Sequence, residues 1–315
     1  MKFSEKKSAR STNLSFRGFV LPCPRKYKHP GFMFANYVAS PFVFGALIFL
    51  YLAWKLDSKY ALWIIPFAVV ATLVYVFSPQ INWWRYRRKP PALQPALIAL
   101  LDKYFPFYQG LDNIGRQKFR DRIVLFRMAT DWTPMGWPEE TLPADVELAL
   151  AAQAVMLSFQ REEFLFPKFE KVILYPYPFP SPEHPFAHAS ELHEPDGCLL
   201  FSAEQLMMAF MQPGKWYNVG LHEYGRAYRL SYPGLPYPAF DAPNAWARLE
   251  SVAPHLSRQL IEATVGLEQT EVLPVAIHHY FTFTGPFRQV FPEEAATFDL
   301  IFGFAPSIAA HASAA

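Results

Sequence analysis

The 315-residue chain carries 29 Lys and Arg against 27 Asp and Glu, a net charge of +2, with 18% of residues charged and 52% hydrophobic. Near-neutrality excludes a globally basic nucleic-acid binder, so no nucleic-acid partner is expected, and the charged fraction lies below the ~25% usual for soluble proteins. Two cysteines far apart, Cys23 and Cys198, exclude a disulfide framework and fit a reducing compartment.

Residues 1–31 form a basic segment containing Lys2, Lys6, Lys7, Arg10, Arg17, Arg25, Lys26 and Lys28. No charge occurs from Phe32 to Trp54, or from Tyr60 to Phe77. A helix needs roughly 20 apolar residues to cross a ~30 Å hydrocarbon core. These runs therefore predict a transmembrane hairpin over 32–84, with spans at about 32–54 and 60–80. Pro41 and Pro66 lie inside the runs, where membrane helices tolerate them. Trp54, Tyr60, Trp63, Trp83 and Trp84 mark the ends as an aromatic belt would. The turn between the runs, Lys55 to Lys59, is far less basic than the flanks, of which the second carries Arg85, Arg87, Arg88 and Lys89. The positive-inside rule then expects both termini in the cytoplasm of a bacterial-type inner membrane. A hairpin buried in a soluble core is the competing reading.

Residues 85–305 read as one soluble domain. Helices are expected at Pro95–Tyr108, Ile114–Met128, Leu142–Ser158, Ala203–Met211, Trp216–Leu230, Ala245–Val265 and Glu271–Thr282. Short strands are expected at Lys171–Leu174 and Leu199–Phe201, and Thr133–Pro138 reads as a loop. Tyr175 to His184 is too rich in proline to be helix. It either docks an extended peptide beside an edge strand or forms a stiff connector whose rings cover the core. The Ala-rich end, 306–315, is expected to be a flexible tail. Mostly helix with a small sheet makes the domain α+β.

Chemistry centres on His222-Glu223, which follows Tyr217-Asn-Val-Gly-Leu221 inside an expected helix. Zinc metalloproteases write His-Glu-x-x-His on such a helix, because i and i+4 share a face and can hold one ion while the Glu activates water. Here the run reads His222-Glu223-Tyr224-Gly225-Arg226. From about Arg122 to Phe304 the chain resembles the Mlc titration factor A (MtfA-type) zinc peptidases. The resemblance rests on four stretches in order: Arg127 to Pro138, Val172 to Phe179, Tyr217 to Glu223, and Glu271 to Phe287. It implies a gluzincin-like fold, with His222 as first metal ligand, Glu223 as general base and Glu271 as third ligand.

Arg226 stands where the second histidine belongs. Guanidinium has no free lone pair and stays protonated, so it cannot be a ligand. Two unit charges about 4 Å apart cost ~4 kcal/mol at an effective dielectric of ~20, and a dication doubles that. An empty, vestigial site is expected, with no cofactor, and with Arg226 pairing with Glu271 in place of the metal; otherwise Arg226 turns outward and snorkels. His278 and His279 lie too far along their helix from Glu271 to share an ion with it. His184, His188 and His193 cluster in the long loop as the other source of ligands. Three functions follow: a membrane-anchored pseudopeptidase binding a protein or peptide partner in the relic cleft; an active zinc metallopeptidase with an unconventional ligand set, which would need zinc; or a structural membrane assembly module.

Overall fold

The computed structural model describes residues 34–138, 141–240, 242–266 and 270–304. The basic segment 1–31 and the tail 306–315, including its expected flexibility, lie outside the described residues.

Two apolar helices, α1 (Phe34–Lys55) and α2 (Ala61–Val76), run side by side; α1, and α2 together with the 3-10 turn Ser58–Tyr60 that leads into it, are long and apolar enough to cross a membrane. Asp57 caps the turn between them by accepting a hydrogen bond from the Lys59 N–H at 3.0 Å. Their mutual face is aromatic, with Phe49 stacked on Trp63 and tilted against Phe67. Their outer faces are bare hydrocarbon: Trp54 is 85% exposed, Tyr75 78% and Leu62 72%. So large an uncovered apolar surface marks an interaction face rather than a buried core hairpin.

Helix α3 (Ser78–Arg88) joins this pair to the domain. Asn82 accepts a hydrogen bond from the Ala35 N–H at 2.9 Å. Trp83, expected among the belt aromatics, is instead buried against Leu125 and Phe164. Its ring docks the hairpin on the domain.

The domain is α+β. In order it contains α4 (Pro95–Tyr104), α5 (Pro106–Gln109), α6 (Asn113–Ala129), β1 (Asp131–Pro134), α7 (Ala144–Leu157), β2 (Lys171–Tyr175), β3 (Ser190–His193), β4 (Cys198–Ser202) and α8 (Ala203–Met211). Then follow α9 (Val219–Ser231), α10 (Ala242–Val252), α11 (Arg258–Val265), α12 (Val272–Thr282), α13 (Thr284–Val290) and α14 (Pro292–Phe302). The expected single helix Pro95–Tyr108 breaks at Phe105, because Pro106 pushes the residue before it out of helix. Ala245–Val265 likewise divides around Pro254, and Ser257 caps α11 through the Leu260 N–H.

Helix α7 is buried all round from Leu148 to Leu157, as a helix apolar on every face must be, and it sits at the centre of the core. The sheet has the order β1-β2-β4-β3, with β1, β2 and β4 parallel and β3 antiparallel at the edge. Strand β1 replaces the expected loop start at Thr133, and β3 was not expected at all. The sequence Ser-Glu-Leu-His of β3 lacks strand-forming bulk, and pairing with β4 is what makes it a strand.

Gly266 ends α11 in the left-handed region at φ 81°, where a Cβ would stand 2.4 Å from the Cβ of His188. Gly266→Ala should therefore cost about 2–4 kcal/mol, from left-handed strain plus overpacking. A shift in the denaturant midpoint at unchanged slope checks it.

Candidate functional site

Helix α9 begins where Asn218 caps it, its side chain accepting from the Leu221 N–H at 3.0 Å. It packs between α7, β3 and α12, so its first turns are sealed from solvent. His222 and Glu223 are consecutive and therefore point to different neighbours. His222 faces Tyr217 and α12, and Glu223 faces the edge strand.

On the α12 side the Tyr217 hydroxyl lies 2.6 Å from His222 Nδ1. Burial, and then the Glu223 charge, raise the Tyr217 pKa well above its ordinary value, so this hydroxyl keeps its proton. The Tyr217 ring lies over His278, with centroids 4.3 Å apart, and His278 Nε2 accepts the Asn218 N–H at 3.1 Å. His279 Nδ1 is 2.9 Å from the Val275 carbonyl, and its Nε2 is buried with no partner among the described residues. Burial pushes His222 down to about 4, against the pull of Glu223 and with help from Arg226. Burial also takes His279 down to about 4, and takes His278 well below the usual imidazole value with His279 and His222 adding to the effect. The three rings are neutral, packed imidazoles.

On the β3 side Glu223 is wholly buried. Its Oε1 accepts from Ser190 Oγ at 2.9 Å and its Oε2 from Arg226 Nη1 at 2.9 Å. Burial works against the Arg226 charge, but Glu223, with Glu271 and Glu191 behind it, holds the guanidinium pKa above its ordinary value.

The expected Arg226–Glu271 pair is not formed. Glu271 is the residue preceding the first turn of α12, half exposed, and its Oε2 takes Arg229 Nη1 at 2.7 Å. Arg226 and Glu223 stand three residues apart on one helix face, where side chains meet without any cross-helix reach. Nor does Arg226 snorkel outward, since its guanidinium is folded back on the helix.

The zinc that the MtfA resemblance implies is not matched by the residues around His222. Arg226 supplies no lone pair, both Glu223 oxygens receive hydrogen bonds, and Glu271 is engaged by Arg229 at the helix end. Sequence reasoning gave no role to Ser190, Tyr217 or Arg229. Tyr217 opens the stretch leading to His222 and Arg229 lies one turn beyond Arg226, so these two left a sequence signal and Ser190 did not. The Pro-rich segment behaves as the covering connector: Tyr175 stacks on Phe179 at 4.2 Å, and Phe179 is buried.

A cavity of about 620 Å³ is bordered by Phe105, Phe210, Trp216, Leu221, His278 and Phe283.

A family model described as glucose-regulated metallo-peptidase M90 matches residues 81–226. A relative, an uncharacterised protein of Synechocystis sp., is 29% identical over 122 residues, which cover 36% of this chain and 44% of that protein. The chain thus aligns with less than half the length of that curated relative. Over residues 81–226, just under half of its length, this chain is thus similar to the M90 metallopeptidase family, in a stretch that takes in most of α3, the parallel strands and the His222-Glu223 turn of α9.

Proposed function

We propose that this protein is a membrane-tethered pseudopeptidase of the M90 family that works by binding a peptide or protein partner, not by zinc-dependent hydrolysis. The observation that carries this reading is the 2.9 Å Arg226–Glu223 pair. It occupies the general base and puts a fixed cation on the metal-binding face of α9. The hydrophobic hairpin supports membrane tethering, and the basic run Arg85 to Lys89 after it supports a cytoplasmic domain at an inner membrane. The edge strand β3, beside α9, and the aromatic cavity bordering α12 are the surfaces available to an extended peptide.

Metal analysis of the full-length protein in detergent tests this, comparing wild type with His222→Ala. Equal zinc content in the two, and no peptide hydrolysis above a no-protein control by either, is the expected result. One zinc per chain that disappears in His222→Ala, together with hydrolysis that disappears with it, overturns the reading.

A further inference from the structure

We infer that Glu183, His184 and Glu191 form a binding site for a divalent transition-metal ion of the zinc class, which staples the proline-rich loop to the edge strand β3. One ligand atom from each side chain lies within 4.8 Å of the other two. Tetrahedral zinc with bonds of ~2.1 Å needs its ligands roughly 3.4 Å apart, so closing the set takes an ångström-scale side-chain movement. The exposed Glu183 side chain has room to make it.

The backbone brings these residues together. Phe179 and His188 exchange two hydrogen bonds of 3.0 Å in an antiparallel bridge, which folds the loop back on itself. A turn at its tip, where the Ser181 N–H donates to the His184 carbonyl at 2.8 Å, carries Glu183 and His184. Strand β3 supplies Glu191, which is 5% exposed.

Two further histidines orient the carboxylates. His188, buried, places Nε2 3.0 Å from Glu191 Oε2 and Nδ1 3.0 Å from the Phe186 carbonyl. His193 lies between Glu183 Oε1 at 3.2 Å and Asp196 Oδ2 at 3.3 Å. Glu191 is thereby held through one oxygen by a hydrogen bond, as outer groups hold ligands in metal sites, and exposed Glu183 lies within ion-pair distance of His193. The His184 ring touches Phe186 and His188 by its faces and edges, and no hydrogen bond engages its nitrogens among the described residues. One imidazole and two carboxylates neutralise a dication; the imidazole favours zinc-class ions over calcium or magnesium.

None of His222, Glu223 and Glu271 belongs to this site, so it stands independently of the zinc-free reading of α9. It is nonetheless adjacent: Ser190, next to Glu191, donates to Glu223, and the Glu191 charge reaches Arg226. An ion here holds the loop against the strand edge to which a peptide partner would add.

The test uses full-length protein in detergent, stripped with chelator and titrated with zinc chloride by calorimetry. One zinc per chain is expected. Glu183→Gln and His184→Ala, both outside the core, should each weaken binding by at least about tenfold, and His222→Ala should leave it unchanged. Zinc should also slow chymotryptic cleavage after the exposed Phe186 in wild type and not in His184→Ala. Wild-type protein that binds no zinc, or zinc binding unmoved by both loop variants and by His222→Ala, overturns this site and leaves the pseudopeptidase reading standing. Zinc lost in His222→Ala and retained in His184→Ala overturns both.

Discussion

Lowering the pH from 7.5 to 5 should cost the domain several kcal/mol of stability, before most carboxylates begin to titrate. The cause is the buried imidazoles of His222, His278 and His279. Burial holds His222 and His279 at about 4 and His278 well below its usual value. The unfolded chain protonates these groups near 6.5. Between about 6.5 and 4 the unfolded state therefore binds more protons, and stability falls as pH falls. At pH 5 the shortfall is about 1.5 units for His222 and for His279, or ~2 kcal/mol each at 1.36 kcal/mol per unit. His278 adds to the same trend. Denaturant unfolding at stepped pH values measures it, and His279→Gln should lower the slope by up to ~1.4 kcal/mol per pH unit. A flat stability profile from pH 7.5 to 5 would show that these rings are not neutral and buried together.

The second large effect concerns the ion pair on α9. Arg226→Met leaves the wholly buried Glu223 carboxylate with Ser190 as its remaining side-chain donor among the described residues. Removing one member of a buried pair typically costs 3–5 kcal/mol. For a domain of this size that is a fall in Tm of about 10 °C. The double variant Glu223→Leu/Arg226→Met should recover most of the loss, since no charge is then stranded. Arg229→Ala supplies the contrast. Its partner Glu271 is half exposed, so the change should stay below ~1 kcal/mol. Equal effects of Arg226→Met and Arg229→Ala would mean that the α9 pair is solvated like a surface one.

Much of the architecture was legible from local patterns. The uncharged runs marked α1 and α2, and helical periodicity placed α6, α7, α8 and α12 within a few residues. Element ends were read less well where proline and capping chemistry override periodicity, as at Phe105 and Ser257. The edge strand β3 left no signal, because its polar residues become a strand through pairing with β4 and burial under α9. Ser190 and Glu191 were hidden along with it.

At the site, the residue types alone determined that Arg226 cannot ligate a metal and that His222 and Glu223 share a helix. That follows from chemistry and helical pitch, which need no knowledge of the rest of the chain. Which carboxylate Arg226 would take was decided by the tertiary structure. Glu271 falls at the exposed start of α12, where Arg229 reaches it, and Glu223 lies one turn back on the same helix in a dry environment. Packing sets the distance and solvation of each candidate partner, and a charge pairs where the partner is nearest and water is most completely excluded.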